Sequence, residues 1–245
     1  MRAFAARCSW ELNQAIMPTE IKAVIFDYGG TLDTGGDHWS RVSYNAYRSA
    51  GVDIPQDRFI EAYIYAERVI GPLIESTQTF REILEAKIGV QVQFLGLTLT
   101  VDSNDIARRC YQTALNHCYE SAQTIRSINK DVKRGLVSNF YGNLDAVLSE
   151  MGMGGLFDVV VDSGVVNVRK PDPAIFQLAI QALDVAPSET LVIGDSVEKD
   201  MIPARSLGCH VIRIDGLPWF GASGNNSEFT SVSDIKSALS LFNLQ

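Results

Sequence analysis

The chain has 245 residues, 46% hydrophobic and 20% charged, with a formal net charge of −8. That composition suits an ordinary globular core, and the negative field disfavours nucleic acid and anionic membrane as partners. No apolar run approaches the ~20 residues of a membrane span.

The first 18 residues carry Arg2 and Arg7 but no apolar h-region, so they read as an N-terminal tail or a weak organelle-targeting fragment rather than a secretory signal; Met17 is an alternative start. Of the four cysteines, Cys8, Cys110, Cys118 and Cys209, no pair has CxxC spacing, which fits free thiols in a reducing cytoplasm.

A β-branched apolar run at 21–26 stops at Asp27 and is followed by Gly29 and Gly30, a strand running into a tight turn. Four further runs, at 132–137, 158–161, 190–193 and 210–214, have the continuous apolar character of strands buried on both faces. Helical patterns lie between them. One holds Leu144, Val147, Leu148 and Met151. A second follows Asp172 as N-cap and Pro173 as N1. A third follows Asp200 as a cap and runs to Gly208. Strand alternating with helix predicts an α/β fold, a doubly wound, Rossmann-like parallel sheet.

Residues 37–128 break this rhythm with long amphipathic patterns, such as Phe59, Ala62, Tyr63 and Ala66, and then Ile106, Cys110 and Ala114. They predict an inserted helical domain, with residues 19–36 and 129–245 forming the core and hinges near 34–36 and 125–130. The alternation at 91–101 is compatible with a strand or an extended loop.

Ligands of open α/β sheets bind beyond the carboxyl ends of the strands. There the chain places Asp27 with Thr31, then Ser138–Asn139, then Lys170 ahead of a helix, then Asp195 and Asp200. Asp27 and Asp195 are hard oxygen ligands suited to Mg²⁺. Ser138 and the Asn139 backbone amide suit phosphoryl oxygens, and Lys170 supplies a positive charge beside Asp27. Such a set neutralises an anionic nucleophile facing an anionic substrate, the main requirement of phosphoryl transfer.

In this order the segments FDYGGTL at 26–32, LVSN at 136–139, KPDP at 170–173 and GDSVEKD at 194–200 resemble the four motifs of the haloacid dehalogenase superfamily, and the resemblance spans about 21–215. It implies a C1-type cap for the helical insertion, Asp27 and Lys170 as catalytic residues, and an aspartyl-phosphate formed on Asp27. It implies phosphoryl binding by Thr31, Ser138 and Asn139, and Mg²⁺ held by Asp27, the Gly29 carbonyl and Asp195. Asp200 would orient Lys170 or a metal-bound water.

The chain departs from that pattern at Gly29, where the family's phosphatases carry an acid/base aspartate. A general acid/base contributes ~10²–10⁴-fold, so alkyl esters are expected to be poor substrates. Five readings follow: a phosphatase with another proton donor (Asp33, Asp37, His38 or a cap residue), an enzyme for acyl or aryl phosphates, a phosphonatase-like enzyme using Lys87, a metal-free dehalogenase, or a non-catalytic protein binding a phospho-ligand or protein. Asp33 and Asp37 read as solvated turn residues and Lys87 as a surface lysine. The expectation carried forward is a cytoplasmic, Mg²⁺-dependent hydrolase, monomer or homodimer, acting on a small phosphorylated molecule.

Overall fold

A computed structural model describes residues 20–220 and 228–245. The tail at 1–18, with Met17 and Cys8, lies outside the described residues, as does the Gly/Ser/Asn-rich segment at 221–226.

Six parallel strands form one sheet in the order β3-β2-β1-β4-β5-β6. They are β1 (Ala23–Phe26), β2 (Lys133–Ser138), β3 (Val159–Asp162), β4 (Thr190–Gly194), β5 (His210–Ile214) and β6 (Ser231–Val232). β1 lies between β2 and β4, with Phe26 level with Leu136 and Ile193, so Asp27 emerges at the centre of the sheet rim. The chain order reverses about β1, which is where a doubly wound sheet opens a crevice.

The central strands are mostly apolar because both faces are covered. Val24 and Phe26 join one core with Leu136, Ile193 and Ile212, whereas Ala23 and Ile25 join another with Val137, Val192, Ile175 and Phe176. Each fully buried Ile, Phe or Leu here contributes about 1.5–3 kcal/mol. Thus the five long strands fall where the apolar runs predict them. β6 has only two residues, too few to carry a pattern.

Between β1 and β2 the chain forms α1 (Trp39–Ser49), α2 (Gln56–Ile70), α3 (Phe80–Phe94) and α4 (Ser103–Arg126). Thr79 and Glu82 make a reciprocal capping box that starts α3. The ambiguous stretch from 91 therefore begins as the last turn of α3, because Gln91 and Val92 are buried on its inner face. After β2 come α5 (Leu144–Glu150), α6 (Ser163–Val166), α7 (Ala174–Leu183), α8 (Ile202–Ser206) and α9 (Ile235–Ser240). The N-cap of α7 is Pro173 rather than Asp172, which lies one residue earlier and accepts from Ala174 N through its Oδ1 at 2.9 Å. Asp200 caps nothing: Ser196 accepts from Lys199 N and starts a π-turn over Val197–Met201, leaving Asp200 buried and turned inward.

No helix among the described residues is long and apolar enough to cross a membrane.

Candidate active site

The turn after β1 builds the first half of the site. Asp27 N donates to Ile193 O at 2.9 Å, tying the residue to β4. Thr31 N and Leu32 N both return to Tyr28 O, which folds the turn so that Thr31 Oγ1 donates to Asp27 Oδ2 at 3.0 Å. Gly30 is required here: its φ is +100°, and a Cβ would lie 2.7 Å from Asp195 Oδ2.

Lys170 completes the centre. Its Nζ donates to Asp27 Oδ1 at 2.5 Å and to Asp200 Oδ1 at 2.6 Å, with the lysine and Asp200 side chains each 2% exposed. Burial works against the ammonium, but Asp200 and Asp27 outweigh it and hold the Lys170 pKa above the usual lysine value. Asn139 secures the lysine's backbone from both sides, donating to Lys170 O at 2.9 Å and accepting from Lys170 N at 2.8 Å. Its side chain is thus a clamp on Lys170. Asp200 Oδ2 accepts from Ser196 N at 3.1 Å, and Gly194 is glycine because a Cβ would meet the Asp200 carboxylate at 2.5 Å.

Oxygens of Asp27, Asp195 and Asp200 lie within 4.8 Å of one another. Burial, then the charges of Asp27 and Asp200, push Asp195 well above the ordinary carboxylate range. Burial likewise raises Asp200 to about 6, with Lys170 opposing it. Three carboxylates against one lysine is a surplus of negative charge, and the donors are all hard oxygens. The set fits a divalent cation of the Mg²⁺, Ca²⁺ or Mn²⁺ type. Asp27 and Asp200 have hydrogen-bond partners on both oxygens, whereas Asp195 accepts only from Thr31 Oγ1 at 3.5 Å, so Asp195 has the most capacity left for such an ion.

These groups share one cavity of about 800 Å³ with Gly29, Ser138 and Asn139. Asp27, Gly29, Ser138, Asn139, Lys170, Asp195 and Asp200, all read from the sequence, line this cavity; Thr31 does not, and three other residues are not where the sequence placed them. Asp33 is not solvated: it is fully buried, its Oδ1 accepting from Gly30 N at 2.7 Å and its Oδ2 from Trp39 Nε1 at 2.8 Å. Asp37 is half-buried and accepts from Leu217 N at 2.7 Å. Neither lines the cavity, whereas His38 does.

Lys87 is not a surface lysine. It is buried on α3, and its Nζ donates to both Glu67 oxygens at 2.8 Å and to Tyr141 Oη at 2.6 Å. Tyr141 Oη in turn donates to Glu67 Oε2 at 2.8 Å. All three line the cavity, joining two helices of the insertion to the loop after β2. No sequence signal marks this cluster, because its members come from three segments and each looks ordinary alone.

The remaining aromatics divide. Tyr63 and Trp219 line the cavity, Tyr47 is core, Tyr65 stacks near Phe94, and Phe220 packs on Tyr44 and Phe59 of the insertion. His117 sits against Gly35, where a Cβ would meet its ring at 2.9 Å.

The burial of Asp33 has a measurable consequence. Burial pushes its pKa up to about 7, against the two hydrogen bonds it accepts. The pKa is raised above the unfolded value of about 4, so its contribution to stability is present below that pH and is lost as the pH rises through about 7. Asp33→Asn, which does not titrate, should therefore gain in melting temperature relative to the native chain across that interval. A pH-independent difference between the two melting curves would contradict this.

The fold and site together define a doubly wound α/β protein with a carboxylate–lysine centre at the strand ends. The chain belongs to the haloacid dehalogenase-like hydrolase family, whose model matches residues 21–208. It is 38% identical over 90 residues to haloacid dehalogenase-like hydrolase domain-containing protein 3 of Danio rerio, covering 36% of this chain and 37% of that protein. It is 39% identical over 64 residues to a phosphoserine phosphatase of Thermus thermophilus, covering 26% of each. The chain thus matches well under half the length of these curated relatives. Among solved structures, a phosphatase of the same superfamily from Thermococcus onnurineus aligns over 92% of this chain and 99% of its own, with 21% identity and a TM-score of 0.53. An L-2-haloacid dehalogenase from Xanthobacter autotrophicus aligns over 91% and 98%, with 20% identity and a TM-score of 0.55. At these identities the structures support the fold.

Proposed function

We propose that this protein is a Mg²⁺-dependent phosphatase of small phosphorylated molecules that acts through an aspartyl-phosphate on Asp27. The observation that carries the reading is the convergence of Asp27, Lys170 and Asp195 at one sheet rim. Mg²⁺, held by Asp27, the Gly29 carbonyl and Asp195, would neutralise charge on the phosphoryl group.

The chain's own residues do the rest. Lys170 holds Asp27 Oδ1 in place and offsets its charge. Ser138, with the Asn139 backbone amide, receives the phosphoryl oxygens, and Thr31, whose hydroxyl donates to Asp27 Oδ2, orients the nucleophile. Asp27 attacks phosphorus, the bond from phosphorus to the leaving oxygen breaks, and that oxygen departs with the electron pair. Water then attacks the aspartyl-phosphate, which returns the Asp27 carboxylate and releases inorganic phosphate.

Gly29 supplies no proton to the leaving oxygen, so acyl and aryl phosphates, whose leaving groups need little protonation, are the favoured substrates. The four helices after β1 act as a cap over the site, excluding water and selecting the substrate. Lys87 lies in the cavity, but Glu67 and Tyr141 hold its ammonium, which disfavours a Schiff-base role. Retention of Asp195 beside Asp27 favours a metal-dependent reaction over dehalogenation. The protein is read as cytoplasmic, a monomer or homodimer, with neither nucleic acid nor membrane as a partner.

A hydrolysis screen with Mg²⁺ over acyl, aryl and alkyl phosphates tests this. Acyl and aryl turnover is expected, alkyl turnover about 10²–10⁴-fold weaker, and all of it lost in Asp27→Asn. Alkyl esters cleaved as fast as aryl esters would reveal a replacement acid. Ligand binding without any turnover would instead favour a non-catalytic protein that holds a phosphorylated ligand.

A further inference from the structure

The glycines beside the nucleophile are glycine for different reasons. Gly30 and Gly194 are hemmed in by the carboxylates of Asp195 and Asp200. Gly29 is not: its φ lies outside the left-handed region, and a Cβ placed on it meets nothing within 4 Å. Neither backbone conformation nor packing demands glycine there. The room it leaves opens on the cavity next to Asp27.

The rest of that cavity has a definite chemistry. His38, Trp39, Tyr63, Phe140 and Trp219 are among its walls. His38 and Trp219 have ring centroids 5.1 Å apart, and Tyr63 and Trp219 5.6 Å apart, so these three make one aromatic surface. Of the Lys and Arg side chains that line it, Lys170 pairs with Asp27 and Asp200, Lys87 with Glu67 and Arg213 with Asp215, which leaves Lys199 without an ion pair among the described residues. Glu67 and Glu198 also face it. A leaving group with its own negative charge would meet acidic side chains and few uncommitted cations.

We infer that the space at Gly29 is a leaving-group subsite for an uncharged planar ring, so that the substrate class is the phosphate monoester of a phenol. This rests on the phosphatase reading above. The ring serves two ends. It fills room that an acidic side chain would occupy, and it accepts the electron pair of the breaking bond between phosphorus and oxygen by delocalisation. The aryloxide then takes its proton from water after leaving. Face and edge contacts with aromatic walls suit such a group.

The test compares kcat/KM for 1-naphthyl phosphate with that for acetyl phosphate, in the native chain with Mg²⁺ and in Gly29→Val and Trp219→Leu. The ratio should favour the naphthyl ester in the native chain and fall at least about tenfold in each variant, since filling or trimming an apolar pocket by a few carbons is worth about 10–200-fold. Thermal melts confirm that each variant folds. A ratio that stays constant while both activities drop together would overturn the subsite and leave the phosphatase reading intact. Absence of Asp27-dependent turnover of acetyl phosphate would overturn both.

Discussion

Gly29→Asp should raise kcat/KM for alkyl phosphate esters by about 10²–10⁴-fold, the contribution of a positioned general acid/base. Two features make the gain attainable. The new Cβ meets nothing within 4 Å, and the residue's φ is one that an L side chain adopts without strain. The backbone carbonyl at 29, the proposed metal contact, is retained. The carboxyl would stand two residues beyond Asp27 and face the same cavity, positioned to protonate the leaving oxygen and then to activate water. The same substitution should erode any preference for aryl esters, because it fills the room that a ring would use. Steady-state kinetics on matched alkyl and aryl esters report both effects. A folded Gly29→Asp protein with unchanged alkyl turnover would mean that the missing acid is not what limits this enzyme.

Lys170→Met should lower stability by about 3–5 kcal/mol at neutral pH, the usual cost of breaking a buried ion pair from one side. Lys170 contacts both Asp27 and Asp200, and all three side chains are at most 7% exposed. Methionine fills the space but leaves those carboxylates crowded with Asp195 and without their cation. Urea unfolding with an unchanged m-value isolates the effect. The deficit should shrink as the pH falls, since protonation of Asp200 and Asp195 removes the repulsion; both are already raised above the ordinary carboxylate value in the native chain. A divalent cation that binds the folded state should also restore part of the loss. A deficit under about 1 kcal/mol, the range of exposed pairs, would place Lys170 in water rather than at the centre of the site.

By itself the sequence determined the sheet and the identity of the central residues. Runs such as 23–26 and 191–193 are apolar at every position because helices cover both faces of the sheet, and that burial is written locally in each segment. Asp27, Ser138 and Asp195 follow the same logic: each ends or directly follows a strand, and all parallel strands end on one rim, while Lys170 sits in the turn ahead of α7. Only the tertiary structure decided what those residues touch. Asp33 and Lys87 resemble solvated residues in sequence, yet Trp39 and Gly30 donate to one, while Glu67 neutralises the other and Tyr141 accepts from it. The openness at Gly29 and the tightness at Gly30 are likewise invisible in a run of two identical letters. Periodicity reports how far a segment is buried by its own elements. The partner that compensates a buried charge, and the space left beside a backbone, depend on side chains brought from distant segments by packing.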